Sequence, residues 1–312
     1  MDLRQSTNRV RVIGTLKRMK VTEGTSKGGH PFISLDLVVQ SKIDDKVMEN
    51  KVSFWAKRSS KLASGYLTAA NEYRTIEKDG EHMATRVSID GNYEMNEYVS
   101  NGEYKNFPKI KGVFVNRVEE SEEEVKDAVE LKLECIVMDQ QPEIKDGKLT
   151  GRLSCKLYSV GWGNTVNEFN NILVDQGIVN DFKRLFPIGT TASFNIKINN
   201  MVIIKEPEVQ VQQTPTGFGQ QLDSISNDNI IRDYINETII IGGDMPIIEG
   251  KYTNEEITFM NQIRENKVKE LMTPPQQDNS FASGFGSGFD SGISNGNASP
   301  TNYGLEYGDV PF

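Results

Sequence analysis

Cysteine and histidine are scarce in this chain of 312 residues, which contains two of each. Cys135 and Cys155 do not form a C-x-x-C pair, and two histidines are too few for the usual Cys/His zinc sites, so we predict no metal. The low cysteine content favours a reducing cytoplasm. The first ten residues lack an apolar run after their charges, so we expect no secretory signal. No apolar run reaches the length of a membrane span.

Catalytic motifs are also missing from the sequence. There is no nucleophile elbow, no H-E-x-x-H and no regularly spaced set of carboxylates for a metal ion. The glycine-rich segment from Gly24 to Gly29 lacks the order of a phosphate-binding P-loop. We therefore predict a protein that is not an enzyme and holds no cofactor. A nuclease assembled from distant carboxylates remains the enzymatic alternative.

Charge is unevenly distributed along the chain. Residues 1–118 hold 20 Lys and Arg against 14 Asp and Glu, whereas residues 119–312 hold 15 against 30. A basic N-terminal third in an acidic protein indicates an anionic partner for that region, and nucleic acid is the obvious candidate. Ordinary variation in surface charge is the plain alternative.

The first 118 residues predict five strands and one helix. Alternation of apolar and polar residues predicts strands near Val10–Leu16, Ile33–Val39 and Val52–Lys57. Ser60–Ala70 predicts a helix, and Asn101-Gly102 between two strand-like runs predicts a tight hairpin. Five short strands with a helix between the third and the fourth are typical of an OB-fold barrel, with a generic capped sheet as the alternative.

A weaker copy of this order follows. After an acidic linker at 119–125, strands are predicted near 131–138, 149–160, 168–174 and 192–204, with a helix at 177–186. A late strand at 238–241 completes a second, divergent OB-like domain over 126–250. Residues 251–272 then predict a surface helix. The predicted fold class is mainly β, with two OB-type domains (1–118 and 126–250) followed by a disordered tail.

Binding of a single strand without sequence preference needs cations along the backbone and exposed rings that stack on bases. The hairpin register predicted from its turn pairs Tyr98 with Lys105 and Asn96 with Phe107, so aromatic and basic side chains share one face. Lys27 lies in a glycine-rich loop that could fold over a strand. Each aromatic alone is more often a core residue. The candidate DNA-binding residues are Arg9, Arg11, Lys17, Lys27, Trp55, Lys57, Tyr98, Lys105, Phe107 and Lys109.

The tail, 273–312, contains no Lys or Arg, and nearly half of its residues are Gly, Ser, Asn and Gln. Such a composition predicts disorder, because it buries too little apolar surface to offset the entropy of ordering. Its last residues are Asp309-Val310-Pro311-Phe312. An apolar ring beside acids, after a proline of fixed φ, has the form of a peptide ligand for a basic-rimmed pocket.

The basic aromatic barrel and the GDVPF tip together resemble the bacterial and phage single-stranded DNA-binding proteins. That family has an N-terminal OB domain, a Gly-rich linker and a tip that usually reads D-D-I-P-F. Asp309, Pro311 and Phe312 match it, Val310 stands for Ile, and Gly308 replaces the first Asp. Residues 119–272 depart from the one-domain bacterial pattern and look more like the phage relatives.

The resemblance implies a protein that coats single-stranded DNA in replication, recombination or repair, in the cytoplasm of the cell or of a phage host. It implies that Asp309, Pro311 and Phe312 recruit replication or repair proteins of the polymerase, helicase or primase class. The residues themselves leave two other classes open. One is an RNA-binding OB protein, and the other is a scaffold that binds no nucleic acid.

Overall fold

The protein is described by a computed structural model, which describes residues 1–119, 125–205 and 231–273. Two sets of five strands follow one another along the chain. The first set is β1 (Asn8–Thr25), β2 (Pro31–Ile43), β3 (Lys46–Lys57), β4 (Arg86–Ser100) and β5 (Glu103–Arg117). The second set is β6 (Ala128–Lys145), β7 (Lys148–Val160), β8 (Val166–Val174), β9 (Thr191–Lys205) and β10 (Ile231–Gly243).

The two sets share one pairing scheme. In the first, β1 pairs with β2 and β4, β2 with β3, and β4 with β5, all antiparallel, while a parallel contact between β3 and β5 closes the barrel. In the second, β6 to β10 repeat each of these pairings in the same order, including the parallel closure of β8 on β10. Both are OB-fold barrels.

Each barrel carries a helix between its third and fourth strands. Helix α1 (Lys61–Glu72) begins at Ser60, whose side chain accepts a hydrogen bond from the Leu62 amide, so the predicted helix at 60–70 is confirmed. A single turn, α2 (Ile76–Asp79), follows it. Helix α3 (Val179–Leu185) lies between β8 and β9, where the sequence predicted a helix over 177–186.

The core follows from the strand period, because alternate residues of each strand point inward. In β3 the buried side chains are Val52, Phe54 and Ala56, as the sequence predicted. Both barrels contribute to one continuous cluster of buried apolar residues. The strand predicted at 238–241 is the end of β10, and Ile240 is fully buried there.

The two barrels are joined through their first strands. β1 pairs antiparallel with β6, from Asn8 opposite Leu133 to Ile13 opposite Ala128. A second contact sets Met48 of β3 opposite Met201 of β9. Residues 1–273 form one compact unit.

The last helix, α4 (Asn254–Met272), begins with a capping box in which Thr253 and Glu256 bond to each other's backbone amides. The sequence predicted a surface helix, and α4 is mostly exposed or half-buried. One side of it packs on the outside of the second barrel, where Met260 is fully buried in a second apolar cluster with Tyr158 and Tyr252. The cause is long-range packing, which the loose apolar spacing of this helix did not indicate.

The predicted tail at 273–312 lies outside the described residues except for Thr273, and so does most of the acidic linker at 119–125. None of the helices in the described part of the chain is long and apolar enough to cross a membrane. Within the same ranges, no group of three or more His, Cys, Asp or Glu side chains could hold a metal ion.

Candidate nucleic-acid interface

Strand β3 presents a row of polar and aromatic side chains on the outside of the first barrel. Since Val52 and Phe54 point inward, Ser53 and Trp55 point outward. Trp55 is 38% exposed, and its ring stacks on Phe32 of β2 with centroids 6.0 Å apart and planes 27° from parallel. The outward row of β3 is Lys51, Ser53, Trp55 and Lys57. Two apolar rings beside lysines form a surface on which a base can stack.

This row continues onto β5 through the parallel closure of the barrel. Ser53 lies opposite Lys111, and the buried Val52 lies opposite the buried Ile110. The close approach depends on Gly112, because a Cβ at that position would come within 2.2 Å of the Phe54 ring. The closure therefore extends the outward side of β3 onto the outward side of β5.

The hairpin of β4 and β5 extends the surface further. Its turn is Asn101-Gly102, both at positive φ (53° and 77°), as a two-residue hairpin turn requires. Tyr98 pairs with Lys105 and Asn96 with Phe107, which confirms the predicted register. Tyr98 and Phe107 are 37% and 46% exposed, and their rings meet edge to face with centroids 6.0 Å apart.

The electrostatics of this surface are dominated by amines with few carboxylates among them. Glu94 lies across the hairpin from Lys109 and within 3.6 Å of the Lys111 amine. Partial burial lowers the pKa of Lys109, and the charge of Glu94 opposes that shift. The Lys105 amine lies 3.8 Å from Glu103 at the exposed turn. We define the outer surface of Trp55, Lys57, Tyr98, Lys105, Phe107, Lys109 and Lys111 as the aromatic-lysine face.

Four predicted residues lie outside this face, and three of them belong to β1. Arg9 pairs with Asp90 at 2.9 Å on the stretch of β1 that joins β6, and Arg11 lies opposite Asp90 and Glu130 in the same ladder. Lys17 pairs with Glu49, and each of these side chains is only 19% exposed. The structure therefore does not bring Arg9, Arg11 and Lys17 together with the aromatic-lysine face.

Lys27 lies exposed in the turn between β1 and β2. Lys57 lies opposite Phe32, two residue pairs from the pair of Ser34 and Trp55, and so belongs to the aromatic-lysine face. Sequence reasoning missed Phe32 and Lys51, which lie beside this face. Both were detectable, because Lys51 shares the period-2 row of Trp55, and Phe32 precedes the alternating run of β2.

The inner side of the hairpin is held by α4. Arg264 donates two hydrogen bonds to Glu97, one of 3.0 Å to Oε2 and one of 2.5 Å to Oε1, and Tyr104 also donates to Glu97 at 2.5 Å. Lys267 makes a further ion pair with the same carboxylate. Burial opposes ionisation of Glu97, but the bonds from Arg264, Lys267 and Tyr104 outweigh it and lower the pKa of Glu97 to about 2.

The second barrel differs from the first in what it presents. Its outward arginine, Arg152, is engaged by Glu143 at 2.7 Å and by Glu237 at 3.2 Å. Lys156 pairs with Glu168 at 3.2 Å. Trp162 is 49% exposed, in a short turn between β7 and β8. Arg152 and Lys156 lie within 3.2 Å of their carboxylates, whereas the Lys111 and Lys105 amines of the first barrel lie 3.6 and 3.8 Å from theirs.

A family model named YorF matches residues 6–273, a span that includes both barrels and α4. The chain belongs to the YorF family. The description of that family states no activity. No curated protein matches this sequence.

Solved structures similar to this YorF-family chain include three single-stranded DNA-binding proteins. The wild-type protein from Thermus aquaticus is 11% identical, with 81% of this chain and 99% of that chain covered and a TM-score of 0.44. The mitochondrial protein Rim1 from S. cerevisiae is 12% identical, with 38% and 98% covered and a TM-score of 0.25. The Plasmodium falciparum protein, solved with ssDNA, is 12% identical, with 38% and 100% covered and a TM-score of 0.26.

Proposed function

We propose that this protein binds single-stranded DNA without sequence preference, on the aromatic-lysine face of its first barrel. The observation that carries the proposal is the continuity of that face. Rings and amines alternate from Trp55 on β3, across the closure at Lys111, to Phe107 and Tyr98 on the hairpin. Rings that stack on any base, beside amines that meet phosphates, bind a strand whatever its sequence.

The length of the face supports a strand rather than a single nucleotide. Trp55 lies two residues beyond Ser53, and Phe107 lies four residues before Lys111, the partner of Ser53 in a parallel pair. The two rings are therefore offset by six residue steps, or about 20 Å along the strands. A separation of that size accommodates several nucleotides, in keeping with the roughly 4–16 that one OB-fold holds.

The direct test is a titration of the protein with fluorescently labelled oligo-dT at low and at moderate salt. We expect saturable binding that weakens steeply as salt rises, because counterions compete with the lysines for phosphates. The Trp162→Phe variant retains Trp55 as its one tryptophan and reports contact with that ring by fluorescence quenching. Absence of both binding and quenching at low salt would contradict the proposal.

Competition between DNA and RNA of equal length separates the proposal from an RNA-binding protein. Tighter binding to RNA would show that RNA, not DNA, is the ligand. If neither strand changes the fluorescence of Trp55, a protein-binding scaffold is favoured. Incubation with Mg²⁺ provides the test for a nuclease, since loss of the oligonucleotide would reveal cleavage.

The proposal includes a role of the protein in DNA replication, recombination or repair. It also includes a phage origin for the protein, which would then act in the host cytoplasm. It also includes recruitment of partner proteins by Asp309, Pro311 and Phe312, which lie outside the described residues. Its support is the sequence of the tip. We expect deletion of residues 303–312 to leave DNA binding intact or tighter and to abolish binding of purified polymerase, helicase or primase. Unchanged binding of all three would refute the recruiting role.

A further inference from the structure

The β4–β5 hairpin of the first barrel is anchored on the second barrel. The Tyr93 ring stacks on Phe169 of β8, with centroids 5.4 Å apart and planes 15° from parallel. The Tyr93 hydroxyl lies 3.0 Å from the Thr238 hydroxyl of β10, and the Met95 amide donates to Asn167 at 3.3 Å. The base of the hairpin therefore depends on the second barrel for its position.

The outer part of the hairpin is held by two side chains of α4, Lys267 and Arg264, of which Arg264 makes more contacts. Besides its two bonds to Glu97, Arg264 donates to the Tyr104 hydroxyl at 3.2 Å and to the Val166 carbonyl at 3.2 Å. Its Nε also lies 3.4 Å from Glu168 of β8. The side chains of Arg264 and Glu97 are only 5% and 2% exposed. Arg264 thus connects both strands of the hairpin to the second barrel.

The residues held by Arg264 are sequence neighbours of the residues on the aromatic-lysine face. Glu97 precedes Tyr98 on β4, and Tyr104 precedes Lys105 on β5. Successive side chains of a strand point to opposite faces, so the inner contacts set the direction of the outer side chains. Charge-assisted bidentate bonds are strong and directional, which suits them to fixing one orientation.

We infer that Arg264 is a positioning residue for the single-stranded DNA site. It does not touch the strand, but it acts through Glu97 and Tyr104 to hold Tyr98, Lys105 and Phe107 toward the bound strand. This inference rests on the proposed function. It assigns to α4, a helix on the second barrel, control over the ligand surface of the first.

The test uses the full chain with Arg264→Met and Glu97→Gln combined, because removal of the arginine alone would leave a buried carboxylate without its main partner. Lys267 is 26% exposed and still reaches solvent in this variant. The matched control is Arg152→Met, which removes an arginine of the second barrel whose carboxylate partners, Glu143 and Glu237, do not belong to the hairpin. Affinity for oligo-dT is measured in each background with and without Phe107→Ala or Trp55→Ala.

We expect the double variant to bind oligo-dT about five- to tenfold more weakly. In this background Phe107→Ala should weaken binding less than twofold, because the hairpin has lost its position. Trp55→Ala should weaken binding as much as it does in the unmodified chain. In the Arg152→Met control, both substitutions should weaken binding as much as in the unmodified chain. If Phe107→Ala weakens binding equally in all backgrounds, the inference is overturned. Absence of oligo-dT binding by the unmodified chain would instead refute the proposed function.

A milder variant covers the case in which the double variant does not fold. Arg264→Lys keeps the charge but cannot form the two parallel bonds to Glu97. We expect faster hydrogen exchange of the amides from 94 to 107 in this variant, and unchanged exchange in β1 and β2. Unchanged exchange in the hairpin, together with full affinity, would contradict a positioning role.

Discussion

The two barrels have the same strand pairing, but they differ at one outer surface. In the first barrel this surface is polar, and in the second it is apolar and covered by α4. β1 and β6 each carry a bulge at the same place, directly after Leu16 in the first barrel and Val137 in the second. With the two bulges superposed, each residue of the β1–β2–β3 ladder corresponds to one residue of the β6–β7–β8 ladder. In the first barrel the aligned outward positions are Thr15, Lys17, Gln40 and Glu49, and in the second they are Ile136, Met138, Tyr158 and Glu168.

The difference in side chains explains the difference in architecture. The polar set of the first barrel includes the Lys17–Glu49 ion pair, and all four of its side chains are partly exposed. The apolar set of the second barrel would be costly to expose, and α4 covers it with Met260. A few outward residues thus decide whether this surface of the barrel stays partly exposed or is buried under a helix of the same chain.

Met260→Ala tests whether the second barrel depends on the helix that covers it. Met260 is fully buried against the outer surface of the second barrel, so we expect a loss of about 3 kcal/mol in the free energy of unfolding. The matched control is Met272→Ala in the same helix, where the side chain is 46% exposed and the expected loss is far smaller. Urea denaturation followed by circular dichroism measures both, and equal losses would show that α4 is not part of the core.

The contact between Glu97 of the first barrel and α4 can be tested through the pH dependence of stability. The folded-state pKa of Glu97 is about 2, below its ordinary value of 4.5. A lowered pKa stabilises the fold above pH 4.5, and this stabilisation is lost as the pH falls toward 2. The stability gap between the unmodified chain and Glu97→Gln should therefore narrow by about 2 kcal/mol from pH 5 to pH 3.

The control for that pH dependence is Glu81→Gln, which removes an exposed carboxylate paired with Lys42. Its stability gap should change little over the same range, because exposed pairs contribute weakly. A gap for Glu97→Gln that stays constant between pH 5 and pH 3 would contradict the ionised, hydrogen-bonded state of Glu97.

A comparison of the two tryptophans tests the functional asymmetry between the barrels. Trp55→Ala should weaken binding of oligo-dT about tenfold, close to 1.4 kcal/mol, since one stacking platform is lost. Trp162→Ala, on the second barrel, should change affinity less than twofold. Equal effects in fluorescence anisotropy titrations would mean that both barrels bind the strand.

The smallest expected effect concerns the salt dependence. Replacement of Lys105 and Lys109 by Ala should make the plot of log affinity against log salt shallower by about 1.4, from two lost contacts at about 0.7 each. The matched pair, Lys145 and Lys148, lies at the β6–β7 turn of the second barrel. Replacement of that pair should leave the slope unchanged, and an equal change in both would place phosphates on the second barrel as well.

Local patterns in the sequence predicted much of the fold. The turn at Asn101-Gly102 sets the hairpin register, and the alternation around Phe54 sets the outward direction of Trp55, because both depend on neighbours a few residues away. The repeat of strands and helix likewise follows from spacing along the chain. The aromatic half of the aromatic-lysine face is therefore predictable from the order of the residues alone.

Long-range contacts set the rest, and no local pattern reports them. Arg9 and Arg11 have the alternation of outward residues, but the pairing of β1 with β6 places them at the junction of the barrels. Arg264 and Glu97 are separated by 167 residues. Their contact depends on the packing of α4 against Tyr158 and its neighbours, which the loose apolar spacing of that helix does not indicate.

The ladder from Asn8 to Ile13 against Ala128 to Leu133 has a further consequence. Each barrel uses the edge of its first strand to bind the other, so those backbone groups are not available to a strand from a second molecule. Because one polypeptide carries both halves, they meet at a fixed effective concentration. The pairing of the barrels should therefore not depend on protein concentration, whereas two barrels on separate chains would dissociate at low concentration.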